Sequence, residues 1–436
     1  MNKLIIFILF LFLGINISAQ SADERIVTAI NNERWFDLSE LYGKHKAEIQ
    51  TPILDPMLKF LTNHYSNQND SALYYGAKLI NEYNSELGGL VGNFIYLMSS
   101  DLARKGEYYK AASILKQYNN TLKAENKMPE RIFIAYENQY SAIAERGGFS
   151  VIKPKSDVKV PIKHENGLIN IDIKLNNYSC NAILDTGSGE NIISKKMADK
   201  LGLYIYNFPG TTIGGISKEE SSFAIADTLK IGNIIYKNIP FQVVDMTLDN
   251  EAANEAIDKL KLDCIIGMRS IFLMKEIKLD FSNNTLEIPE SLSTRPSTAS
   301  PIYCSGENTL GLAIYDKKTD QKIKALFDSG SVISELTTAY YQKNKKLFDV
   351  LIPTDSVKIA GIGNTEYHRT ISIPWEYSFY NNDFKCVPIS INTAEDNSTT
   401  QNYDCLLGTP FMTRYKKIII NLNDMWIFLE GNNIKE

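Results

Sequence analysis

Two short tetrads carry the residue types best suited to chemistry in this 436-residue chain, Asp185-Thr186-Gly187-Ser188 and Asp328-Ser329-Gly330-Ser331. Each follows an apolar run, Ala182-Ile183-Leu184 or Ala325-Leu326-Phe327, so each Asp stands at the end of a candidate buried strand. A single Asp-Thr-Gly is common in turns and says little. A pair brought together behaves differently, because two like charges a few ångströms apart cannot both ionise. One carboxyl then serves as base and the other as acid, the combination that activates water against an amide and protonates the departing nitrogen. Gly187 and Gly330 permit the tight turns that such an approach of two loops needs. Ser188 and Ser331, three residues beyond each Asp, are placed to donate their hydroxyls to the carboxylates and so to hold their pKa values down.

The tetrads, 143 residues apart (328 − 185), belong to a longer repeat. Asp263-Cys264-Ile265-Ile266-Gly267 matches Asp404-Cys405-Leu406-Leu407-Gly408 at a shift of 141 (404 − 263), and a candidate strand pair follows each, at 277–288 and 418–429. Elements recurring in one order at nearly one spacing predict a duplicated lobe, which explains how one chain brings two equivalent Asp together. Asp263 and Asp404 head buried strands and are read as turn or cap residues. From Val151 onward the hydrophobic period falls toward two, as in Val158-Lys159-Val160-Pro161-Ile162-Lys163, with turn signals such as Glu165-Asn166 between runs. The expected boundaries are lobe one at 149–290, a Ser/Thr/Pro-rich linker at 291–301 and lobe two at 302–436.

On these motifs the chain resembles the aspartic peptidases, both pepsin-like and retroviral-type, over about residues 151–430. The resemblance implies that Asp185 and Asp328 form the catalytic dyad. It implies that Thr186 and Ser329 hydrogen-bond across the lobe interface, and that Ile265-Ile266-Gly267 and Leu406-Leu407-Gly408 pack behind the catalytic loops. It also implies a flap over the substrate: Ile213, Gly214, Gly215 and Ile216 in lobe one, and Gly361, Ile362 and Gly363 at the corresponding place in lobe two. The plainer reading of these Gly pairs is an ordinary hairpin turn. The lobe-one segment lacks the Tyr of pepsin-like flaps, and Tyr367 lies just beyond the lobe-two one, so a fused retroviral-type pair is favoured.

The rest of the chain frames this unit. Residues 20–148 show apolar spacing of three and four with few Gly or Pro, which predicts helices. Asp70–Tyr83 overlays Lys105–Tyr118 at a shift of 35, a weak resemblance to tetratricopeptide repeats; a plain helical bundle is the alternative. The fold class is therefore multidomain: an all-α, repeat-like part followed by a mainly β, two-lobed aspartic-peptidase fold. Lys3, the apolar run Leu4–Leu13 and the small residue Ala19 have the layout of a signal peptide at 1–19, predicting a secreted or periplasmic protein with no membrane span once it is removed. A net charge of −5 without a basic run argues against nucleic acid. The four His (His45, His64, His164, His368) are scattered, and no CxxC, HExxH or phosphate loop occurs, so no metal or cofactor is expected. Five Cys leave at least one unpaired. The expected partner is a peptide or protein substrate, with room for a protein partner on the helical part. Two other readings stand beside the endopeptidase: a silent peptide-binding relative, and a helical interaction module with the β half as passenger.

Overall fold

The computed structural model describes residues 21–208, 210, 212–214, 218–245, 263–305, 308–348, 355–361, 364–379, 384–393 and 402–432. The leader expected at 1–19 and the flap residues Gly215, Ile216, Ile362 and Gly363 lie outside them. The chain forms two compact units, 1–144 and 145–436. No helix among the described residues is long and apolar enough to cross a membrane.

The first unit is helical because its apolar residues recur on one helix face. In Leu54–Tyr65, Leu54, Met57, Leu58, Leu61 and Tyr65 are all buried, a stripe at spacings of three and four. This helix packs against Asn69–Glu82, which in turn packs against Val91–Arg104, and Val91–Arg104 against Tyr108–Ala124. The two segments that overlay at a shift of 35 differ in structure: Asp70–Tyr83 is almost wholly helix, whereas Lys105-Gly106-Glu107 precedes its helix. Their buried positions align one residue further on, Ala72, Gly76 and Leu79 with Tyr108, Ala112 and Leu115.

The second unit is mainly β, and its elements recur in the same order. In lobe one Val158–Glu165 buries Val158, Val160 and Ile162 at alternate positions, as the period of two requires. Leu168–Leu175 pairs antiparallel with Tyr178–Leu184, the strand that delivers Asp185. In lobe two Leu310–Asp316 pairs antiparallel with Gln321–Phe327, which delivers Asp328. Each delivery strand runs parallel to the strand of an apolar-apolar-Gly motif, with Ile265 opposite Ile183 and Leu406 opposite Leu326. Each of those motif strands also pairs antiparallel with a short strand, Ile192–Ser194 or Ser334–Leu336.

A sheet shared by both lobes closes the unit. Its strands lie in the order Val158–Glu165, Thr285–Ile288, Glu276–Asp280, Tyr415–Asn421, Trp426–Asn432, Ser300–Cys304. At its centre Ile277 faces Ile420 and Leu279 faces Ile418, all fully buried, so the lobes meet in a continuous ladder. Buried Glu276 accepts from Asn421 Nδ2 (2.7 Å) and from Ser293 N and Oγ (2.9 and 2.6 Å), which ties the stretch expected as a linker onto this sheet. Ser300 and Pro301, assigned to that linker, already lie in a sheet strand. No disulfide links the five Cys.

Candidate active site

Each Asp loop is held from behind by its apolar-apolar-Gly motif. Asp185 N donates to Ile266 O and Asp328 N to Leu407 O, both at 3.0 Å. A Cβ on Gly267 would lie 2.0 Å from Glu190 O, and one on Gly408 2.0 Å from Ile333 O, so only glycine fits where these backbones cross. Asp263 and Asp404 stand at the start of these motif strands, away from the dyad. Asp263 accepts from Ser194 Oγ at 3.2 Å, and Asp404 from Lys324 N at 3.0 Å and from Lys343 Nζ at 2.5 Å.

The two loops then clasp each other. Thr186 Oγ1 donates to Phe327 O (2.6 Å) and accepts from Ser329 N (3.0 Å). Reciprocally, Ser329 Oγ donates to Leu184 O (2.6 Å) and accepts from Thr186 N (2.9 Å). Both hydroxyl residues are fully buried. This four-bond clasp spans the interface and sets the separation of the lobes at the point where the two Asp emerge. Gly187 and Gly330 make the approach sterically possible: a Cβ on Gly187 would stand 2.3 Å from Asp328 Cγ, and one on Gly330 2.4 Å from Asp185 Cγ.

The paired carboxyls are electrostatically unequal. Asp185 Oδ1 accepts from Gly187 N (2.8 Å) and Ser188 N (3.1 Å), whereas Asp328 Oδ1 accepts from Gly330 N (2.8 Å). Burial pushes both pKa values above the ordinary carboxylate range. For Asp185 the Gly187 amide, a hydrogen bond with Asp328 and the Ser188 amide oppose that rise. For Asp328 the charge and hydrogen bond of Asp185 add to it, lifting it well above that range. Two loop amides reach Asp185 and one reaches Asp328, an asymmetry that favours the pair's negative charge on Asp185.

One sequence expectation is overturned. The Ser188 hydroxyl donates to Glu190 O (2.8 Å) and the Ser331 hydroxyl to Ile333 O (3.2 Å), each closing its own loop instead of reaching a carboxylate. It is the Ser188 backbone amide, fixed by the turn, that reaches Asp185.

The flap residues within the described chain lie on hairpins. Ile213 and Gly214 belong to Thr212–Gly214, paired antiparallel with Lys218–Glu220. Gly361 ends Asp355–Gly361, paired with Asn364–Ser378.

Sequence reading missed two features. Glu190 and Arg269 form a bidentate ion pair behind the Asp185 loop, at 2.6 and 2.5 Å, with both side chains almost fully buried. The only sequence hint was a charged residue beside each motif. Thr409 Oγ1 also donates to Gly167 O of lobe one (2.6 Å), a tie between the lobes beyond the clasp and the shared sheet.

Residues 171–269 match the model of a family described as aspartyl protease. The match takes in Asp185 and Gly267 and supports the family expected from the motifs. Among solved structures, an aspartic proteinase from Irpex lacteus is similar at 10% identity, covering 64% of this chain and 98% of that one, with a TM-score of 0.42. A retropepsin-like aspartic protease from Rickettsia conorii is similar at 19% identity, covering 32% of this chain and 91% of that one, with a TM-score of 0.21. No curated protein matches the chain.

Proposed function

We propose that this protein is an aspartic endopeptidase with Asp185 and Asp328 as its dyad. The observation that carries the reading is the reciprocal Thr186–Ser329 clasp, which presents two carboxyls to one another and leaves them partly open to solvent. A binding-only cleft has no need of a coupled acid pair whose desolvation opposes ionisation.

In the proposed reaction a water lies between the carboxyls. Ionised Asp185 takes its proton as the oxygen attacks the peptide carbonyl, and Asp328 donates its proton to the carbonyl oxygen, giving a tetrahedral diol. Asp185 then passes its proton to the departing nitrogen, the C–N bond breaks, and a diol proton returns to Asp328. The hairpins ending at Gly214 and Gly361 would close over an extended peptide and exclude water.

Asp185→Asn and Asp328→Asn should each abolish cleavage of a mixed peptide library with the fold retained, and the double variant should lose little more. Near-normal turnover in either single variant would sink the assignment. We further propose export, on the leader pattern of residues 1–19; detection of a mature chain lacking those residues outside the cytoplasm tests it.

A further inference from the structure

The two lobes differ at one equivalent place behind their Asp loops. In lobe one it is filled by Glu190 and Arg269. Their counterparts in lobe two, at the repeat shifts of 143 and 141, are Ile333 and Pro410, which cannot form that pair. A cavity of about 280 Å³ opens there, lined by Ile333, Glu335, Ser372, Ser390, Pro410 and Arg414 among others. Its volume falls just short of the roughly 300–1,000 Å³ of small-molecule sites, so it suits one long side chain rather than a cofactor.

Its position relates it to the site. Ile333 ends the loop that begins at Asp328 and accepts from the Ser331 hydroxyl. Ser372 lies on Asn364–Ser378, the strand that pairs with the lobe-two hairpin Asp355–Gly361. The pocket thus sits between the dyad loop and the hairpin strand, along the side of lobe two.

Its charge selects a ligand. Glu335, whose counterpart in lobe one is Ile192, is only 3% exposed and lines the pocket, where Asn392 Nδ2 donates to its carboxylate at 3.3 Å. Arg414 is half-buried at the wall, its guanidinium donating to Pro388 O at 3.1 Å. Glu335 is the acidic group set deepest in the lining and Arg414 the more exposed basic one, so a long basic side chain that reaches the floor meets the Glu335 carboxyl. Resting on the peptidase reading above, we propose that this pocket is a specificity subsite that takes a Lys or Arg side chain of the substrate, with Glu335 as counter-charge.

The test uses the full chain carrying Asp185→Asn, so that binding is read without turnover, against an immobilised nonapeptide array scanning Lys, Arg, Met, Gln and Glu through every position. One position should favour Lys or Arg about tenfold over Met and Gln, the scale of one charge-assisted hydrogen bond. Adding Glu335→Gln should erase that preference, while Arg414→Gln keeps it. Exposed Ser372→Trp, which plugs the pocket from its rim, should weaken the same peptides and decides the matter if Glu335→Gln alters the far-UV spectrum. The proposal is overturned if no position prefers a base, if an acidic residue is preferred, or if the basic preference survives the plug. Wild-type cleavage without a basic preference would overturn the subsite and leave the peptidase reading standing. A preference that tracks Glu335 in a chain that cuts nothing would do the reverse.

Discussion

Replacing Thr186 by Val removes one oxygen and almost no volume, which makes it a clean perturbation of the interlobe clasp. The lost hydroxyl donates to Phe327 O and accepts from Ser329 N, and both of those backbone groups are in the buried interface. Water cannot reach them without opening the lobes. Each buried group left unsatisfied costs about 1–3 kcal/mol, so the variant should lose about 2–6 kcal/mol of stability in the β unit. That is a large share of the ~5–15 kcal/mol typical of a domain. Urea unfolding in a Trp35→Phe background isolates the signal, because the two remaining Trp, Trp375 and Trp426, are buried in lobe two. Thr186→Ser is the control: lobe two performs the same task with Ser329, so this variant should stay within about 1 kcal/mol of wild type, the cost of one methyl group. A Thr186→Val protein within that same margin, with undiminished peptide cleavage, would refute the view that the clasp holds the lobes.

Four further outcomes follow from the site. Gly330→Ala would set a methyl 2.4 Å from Asp185 Cγ, so cleavage should fall by about a hundredfold or more through displaced carboxyls; unchanged kcat would show that the loops yield freely. Asp328 has a folded pKa raised from 3.8, so the stability it contributes is full below that pH and lost as pH rises through its folded value. Asp328→Asn, uncharged at every pH, should therefore be more stable than wild type at pH 7 and show no such gain near pH 3; thermal melts at the two pH values check this. Ser188→Ala should leave the alkaline limb of kcat/KM in place, since its hydroxyl serves Glu190 O and not Asp185; a limb moved to higher pH would contradict that geometry. Arg269→Ala should cost about 3–5 kcal/mol by stranding buried Glu190, and the double change Glu190→Ile with Arg269→Leu should recover most of it in the same urea assay.

The sequence alone determined the repeat and the elements that position the dyad, because those are written in local patterns. Alternation at Val158, Val160 and Ile162 specifies a strand with one buried face, and the stripe from Leu54 to Tyr65 specifies a helix. Two Asp-Thr/Ser-Gly tetrads at nearly the same distance from two apolar-apolar-Gly motifs identify the paired carboxyls before any fold is known. Tertiary structure alone decided the partners. The Ser188 hydroxyl had two acceptors within reach, its own Asp and the Glu190 carbonyl, and the turn geometry chose the carbonyl. Glu190 and Arg269, 79 residues apart, become a pair only when the strands around them are stacked. The inequality of the dyad likewise has no signature in two nearly identical tetrads. It arises from how many amides each loop aims at its carboxyl and from where each charge sits relative to the other, quantities that depend on positions to a fraction of an ångström.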